Sequence, residues 1–115
     1  MRIPIFPIFI VLADLFTATA AAGEVITLIP GYLTKVQCEG RLLVSAIGNE
    51  SLVRLEALPK ELGCGVLLKA MVEQGRTNLI LETSAGTIQR LVEISPSSRA
   101  PTTSQLEYRL KGDSR

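Results

Sequence analysis

Between Glu24 and Ser95 the chain breaks into short apolar segments separated by turn residues. Glycine, proline and asparagine provide most of these turns, as in Pro30-Gly31 and Gly48-Asn49. Seven segments lie between the turns and are rich in Val, Ile, Leu or Thr, at about residues 25–29, 33–38, 42–47, 52–57, 65–72, 77–83 and 87–94. Such segments are typical of β-strands, so the pattern predicts an all-β domain.

Two of the later segments show the alternation of a half-buried strand. Positions two residues apart share a face, which gives Leu79, Leu81 and Thr83 in one segment and Ile88, Val92 and Ile94 in the next. Arg90 interrupts the second apolar face. Strands with one buried face suit two sheets packed together, so we predict a small antiparallel β-sandwich of about seven short strands.

A helix competes with a strand over residues 50–62. Leu52, Leu55 and Leu58 recur at helical spacing, and Asn49 is a suitable N-cap residue. We predict a strand here and keep a short helix as the alternative.

The first 22 residues have the pattern of a secretory signal peptide. Arg2 precedes an apolar stretch at residues 3–13, and small residues follow at 17–22. The alternative is a membrane anchor, but a spanning helix needs about 20 apolar residues, and Pro4, Pro7 and Asp14 all lie within the first 22 residues. We predict cleavage after Ala22 and a periplasmic or secreted protein.

Composition divides the remaining chain into a domain and a tail. Residues 23–95 contain all the predicted strands, whereas residues 96–115 begin with Ser, Pro and Thr and predict a flexible tail. Leu106, Tyr108 and Leu110 alternate within the tail. The alternative is therefore that the tail adds a strand to the open sheet edge of a partner.

Charge and side-chain chemistry exclude several functions. The formal net charge is +1, and the leader would remove one charge of each sign, so no basic surface for nucleic acid is predicted. All three phenylalanines lie in the leader and tryptophan is absent, which removes most of the usual stacking platforms. The chain has no histidine to act as a base or metal ligand. We predict no enzyme activity, no cofactor, no metal site and no small-molecule substrate.

Cys38 and Cys64 are the only cysteines. Strand alternation points both inward, and a secreted context permits a disulfide, which would stabilise the fold by roughly 3 to 4 kcal/mol. The alternative is two buried free thiols, because free cysteine is itself a common core residue.

The order of residues resembles two bacterial envelope modules. The segments at residues 26–32, 44–49, 66–70 and 75–81 resemble the N-terminal β-domain of the outer-membrane core-complex subunit of type IV secretion and conjugal transfer systems. They also resemble the N-terminal domain of pilus-assembly secretins. The resemblance covers about residues 24–95. Its turn and strand positions are Gly31, Gly48, Asn49, Thr77, Asn78 and Leu79, where Asn49 replaces the aspartate of the families and Ala70 replaces a proline.

The resemblance implies a non-catalytic protein-protein interaction module. Both families continue into further domains, so the expected role is that of an accessory to an envelope secretion, conjugation or pilus-assembly machine. Its partners would be proteins of that machine. One option is that a partner holds the protein at the outer membrane, and another is that the protein forms a homo-oligomer within a ring. The alternative is a small secreted β-sandwich that acts as a binding or inhibitor protein unrelated to secretion.

Overall fold

Two four-stranded sheets make up the computed structural model, which describes residues 25–111. The first sheet contains, in spatial order, Ile26–Leu28 (β1), Gly86–Ile94 (β7), Gly75–Thr83 (β6) and Leu42–Ile47 (β3). The second contains, in spatial order, Val53–Ala57 (β4), Gly65–Ala70 (β5), Leu33–Gln37 (β2) and Glu107–Arg109 (β8). The predicted all-β sandwich is confirmed, with one strand more than expected.

Most neighbouring strands are antiparallel, but the two sheet-end strands β1 and β8 are not. β1 runs parallel to β7, with Ile26 opposite Val92, and β8 runs parallel to β2, with Tyr108 opposite Val36. Parallel neighbours require a connection that crosses from one end of the sheet to the other. These two pairings therefore join parts of the chain that are far apart in sequence.

The ambiguous region at residues 50–62 contains a strand and a single turn of 3-10 helix. β4 occupies Val53–Ala57 and pairs antiparallel with β5, and the 3-10 turn follows Pro59 at Lys60–Leu62. The predicted strand is therefore present. The leucines at helical spacing, Leu52, Leu55 and Leu58, are all half-buried along the strand and its ends.

The core between the sheets is aliphatic. Its fully buried members come from both sheets and include Ile26, Leu28, Val36, Val53, Val66, Leu68, Leu79, Leu81, Ile88 and Val92. Each such side chain contributes about 1.5 to 3 kcal/mol relative to leaving it exposed. Tyr108 packs against this core as its aromatic neighbour.

The prediction of a flexible tail over residues 96–115 does not hold for residues 103–110. Thr103–Leu106 forms one helical turn (α1), and β8 follows it directly. Leu110 is only 3% exposed and belongs to the core. The alternation of Leu106, Tyr108 and Leu110 thus adds a strand to the protein's own second sheet, because that sheet offers β2 as a free edge.

The predicted signal peptide at residues 1–22 lies outside the described residues, as do residues 112–115. Within residues 25–111, no helix has the length and apolar character needed to cross a bilayer.

Candidate functional site

The two sides of the sandwich end in different ways. On one side β1 and β8 lie next to each other, and we call this the closed side. On the other side the first sheet ends in β3 and the second in β4, and we call this the open side. The chain passes from β3 to β4 through residues 48–52, so one short connection joins the two edges of the open side.

The C-terminal segment joins the two sheets on the closed side. The Tyr108 hydroxyl accepts a hydrogen bond from the Thr27 backbone N–H at 3.1 Å, which links β8 to β1. The Leu110 N–H donates to the Gln37 carbonyl at 2.8 Å. The edges of this side are therefore bridged by the chain itself.

Arg90 explains the interruption in the apolar face of β7. Its side chain lies on the inward face of the strand and is only 9% exposed. The guanidinium Nη2 donates to the Lys111 carbonyl at 3.5 Å, and Nη1 donates to the Gln89 carbonyl at 2.7 Å. A buried charge needs such acceptors, so Arg90 belongs with the C-terminal segment.

Two depressions lie on the open side between β3 and β4, and Ser45 lines both of them. We call the two together the edge groove and define it by Leu43, Val44, Ser45, Leu55, Leu58 and Met71. Three of these aliphatic side chains are about half exposed, Leu43 at 55%, Val44 at 54% and Met71 at 50%. Contiguous exposed apolar side chains mark interaction sites on many soluble proteins.

Unpaired backbone groups of β3 face outward from the first sheet. The Gly48 N–H donates to the carbonyl of Asn78, which lies directly opposite in the β3–β6 register. In an antiparallel ladder, hydrogen-bonded and non-hydrogen-bonded pairs alternate. Ala46 and Val44 are therefore bonded to β6, while Ser45 and Ile47 direct their N–H and C=O groups outward.

The same alternation exposes the backbone of β4. The Leu58 N–H donates to the carbonyl of Gly65, its opposite residue in the β4–β5 register. Residues of β4 with even numbers therefore bond to β5, and Leu55 and Ala57 direct their backbone groups outward. The outward N–H of Val53 donates to the Asn49 carbonyl at 3.3 Å. Both edges of the open side thus offer free main-chain donors and acceptors.

Charged residues lie at the two ends of the edge groove and not in β3. Arg41 and Lys60 border the end where β3 begins. Glu50 and Arg54 border the end where β3 finishes. β3 itself has the sequence LLVSAI and carries no charge, although charged residues are a common protection of edge strands.

Four of the predicted motif positions meet where β3 leaves the first sheet. The Thr77 hydroxyl accepts a hydrogen bond from the Asn49 N–H at 2.8 Å. The Asn49 side-chain oxygen accepts bonds from the N–H and hydroxyl of Ser51, at 3.0 and 2.6 Å. A Cβ at Gly48 would clash with the side-chain oxygen of Asn78, so glycine permits this close approach. The cluster fixes the start of the connection between β3 and β4.

The other two motif positions lie elsewhere. Gly31 follows Pro30 in the turn between β1 and β2 and has φ of +90°, a conformation that favours glycine. Leu79 is fully buried in the core. The motif therefore does not form one site, and in this structure its residues build turns and packing.

Cys38 and Cys64 are joined by a disulfide, with their Cα atoms 5.1 Å apart. They lie directly opposite each other at the ends of β2 and β5, and the Cys38 N–H donates to the Cys64 carbonyl at 3.0 Å. Cys64 also borders the end of the edge groove near Arg41. The disulfide therefore ties two strands of the second sheet together beside the open side.

No group of three or more potential metal ligands occurs within residues 25–111. What the edge groove offers is main-chain hydrogen bonding and apolar contact. The sequence interpretation did not single out Leu43 or Val44. The signal that could have identified them is the uncharged run of β3, which lacks the polar alternation of a half-buried strand.

No protein-family model matches this chain, and no curated protein matches it. The class of protein is defined by its fold, an all-β sandwich with one side bridged by its C-terminal segment and one side open.

Proposed function

We propose that this protein is a non-catalytic interaction module of the bacterial envelope, which binds protein partners through the edge groove. The observation that carries the proposal is the pair of unpaired edges β3 and β4, with exposed aliphatic side chains between them. β3 carries no charge, and an uncharged edge strand is a template for another strand. Strand addition is an established mode of protein recognition. Main-chain bonds would supply affinity, and the aliphatic side chains would supply contact area.

The resemblance to modules of type IV secretion systems and pilus secretins supports a place in the envelope. In those families a β-domain of this size works inside a larger assembly. The disulfide is compatible with the periplasm, because disulfides persist in oxidising compartments. We therefore propose that the protein is an accessory of an envelope secretion, conjugation or pilus-assembly machine.

The test is recovery of partners from envelopes of the native host. The protein would carry a C-terminal tag, be cross-linked in the cells and be purified with whatever is attached. Met71→Lys places a charge in the edge groove, where the methionine is 50% exposed. Leu91→Lys is the matched control, because Leu91 is 44% exposed and lies on β7, an inner strand of the first sheet.

We expect the native protein and Leu91→Lys to recover envelope proteins, and Met71→Lys to lose them. Conjugation-channel subunits would place the module in type IV secretion, whereas secretin or pilus components would place it in pilus assembly. Equal recovery by Met71→Lys would show that the edge groove is not the binding surface. Recovery of the protein alone, or of a soluble extracellular protein only, would overturn the envelope role.

A further inference from the structure

β3 has the features of a strand that pairs with a copy of itself. We infer that a second copy of this chain occupies the β3 edge, through antiparallel β3–β3 pairing about a two-fold axis at Ala46. The inference goes beyond the proposed function, because it concerns one edge of the edge groove and does not require an envelope partner. It assigns β3 to the second copy and leaves β4 and Met71 for the envelope partner.

The free backbone groups of β3 fit this register. Ser45 and Ile47 direct their N–H and C=O groups away from β6. An axis at Ala46 places Ser45 of each copy opposite Ile47 of the other. Opposite residues of this type exchange both of their main-chain bonds, so the two pairs would form about four hydrogen bonds.

Small side chains lie where the two copies would approach most closely. Ala46 would face Ala46 of the second copy as a non-hydrogen-bonded pair, in which Cα atoms are only about 4.5 Å apart. Val44, which is 54% exposed, would lie opposite Gly48, which has no side chain. An axis at Ala46 therefore places the exposed Val44 of each copy opposite Gly48 of the second copy, the residue with the least steric bulk.

The charges at the two ends of β3 favour the antiparallel arrangement with a second copy. Arg41 precedes the strand, Glu50 follows it, and no charge lies between them. With the axis at Ala46, Leu42 of each copy lies opposite Glu50 of the other, and Arg41 is the residue before Leu42, beyond the β-bulge between Leu42 and Val44. A parallel arrangement would instead bring like charges together. The strand is thus complementary to its own antiparallel copy.

Charge exchange between two variants tests the pairing. Arg41→Glu gives a chain with two acidic ends, and Glu50→Arg gives a chain with two basic ends. Each variant alone would place like charges together twice in its own dimer. When the two variants are mixed, every acidic end meets a basic end. Sedimentation velocity over a range of protein concentrations measures the dissociation constant in each case.

We expect each variant alone to have a dissociation constant at least about tenfold above that of the native protein. We expect an equimolar mixture to return to the native value. Arg99→Glu is the control for a change in net charge, because Arg99 is an exposed residue outside the strands. A mixture that associates no better than its components would overturn the inference, as would a native protein that stays monomeric at all concentrations.

A cysteine at the axis provides a second, independent measurement. Ala46→Cys would bring two thiols together at a Cα separation of about 4.5 Å, within the range that a disulfide requires. We expect a covalent dimer under mild oxidation, with a link between the two introduced cysteines in peptide mapping. Leu91→Cys, also at an exposed position but on the inner strand β7, should remain largely monomeric. Equal yields from both variants would count against the axis at Ala46.

The two proposals can fail separately. A native protein that is monomeric and still recovers envelope proteins in a manner sensitive to Met71→Lys would overturn the self-pairing alone. Restored association in the mixture, without any envelope partner, would overturn the proposed envelope role and leave the self-pairing in place.

Discussion

The closed and open sides of this sandwich differ in how the unpaired edges of the two sheets are covered. Every sheet ends in strands with unpaired backbone groups, and such edges must be covered, bridged or used. On the closed side, Tyr108 bridges β8 to β1 and Leu110 fills the core beneath them. On the open side no strand of the described chain covers β3 or β4, and aliphatic side chains remain exposed. The closed side is therefore bridged by the chain itself, and the open side leaves the outer edges of β3 and β4 without a neighbouring strand.

The disulfide lies between the two inner strands of the second sheet. It joins β2 to β5 and borders the edge groove, where no further strand packs. The closed side depends on packing of its C-terminal segment instead. This difference leads to predictions that affect the two sides unequally.

Removal of the disulfide should have the largest effect on stability. The double variant Cys38→Ser with Cys64→Ser frees a loop closed by a sequence separation of 26 residues. The chain-entropy estimate for such a loop is about 3.5 kcal/mol of unfolding free energy. Urea denaturation followed by circular dichroism measures this loss. The native protein with a reducing agent should match the double variant, and an unfolding midpoint that is unaffected by reduction would contradict the prediction.

Truncation of one leucine on each side should lower the unfolding free energy by very different amounts. Leu110→Ala removes a side chain that is 3% exposed in the core, so we expect a loss of about 3 kcal/mol. Leu43→Ala removes the same atoms from a leucine that is 55% exposed, and we expect a change within about 0.5 kcal/mol. Denaturation midpoints of the two variants measure the difference. Equal losses would mean that Leu43 is needed for the fold and that the open side is not a free surface.

The strands could be predicted from sequence because their signals are local. Alternation and turn residues are visible within a few positions, and every segment predicted between residues 25 and 94 contains a strand. The β3 to β4 connection was likewise marked by Gly48 and Asn49. Strand neighbours are not local, so the two parallel pairs and the identity of the edges could not be derived from the pattern.

The C-terminal segment shows why composition misled the sequence interpretation. Ser, Pro and Thr dominate residues 95–104 and are typical of disorder, but a free β2 edge lies within reach of the alternating residues that follow. Arg90 was a second indication, in the sequence, that the C-terminal segment is ordered. A charge on the inward face of β7 requires polar partners, and the Arg90 guanidinium donates to the carbonyls of Gln89 and Lys111. The interrupted face and the supposed tail were two parts of one feature, which only the long-range pairing reveals.

The smallest predicted effect concerns the hydroxyl of Tyr108. Tyr108→Phe keeps the ring against the core but removes the acceptor for the Thr27 N–H, so we expect a loss of about 1 kcal/mol in unfolding free energy. Tyr32→Phe is the matched control on a tyrosine that is 42% exposed, and it should change stability by less than about 0.5 kcal/mol. Amide hydrogen exchange at Thr27 gives the decisive measurement. The Thr27 N–H should exchange faster in Tyr108→Phe than in the native protein. The core amides of β6 should slow down or speed up only as much as the change in global unfolding free energy requires. If Thr27 exchange is unchanged, the contact is not maintained in solution, and the closed side is held by the packing of Leu110 rather than by the bridge between β1 and β8.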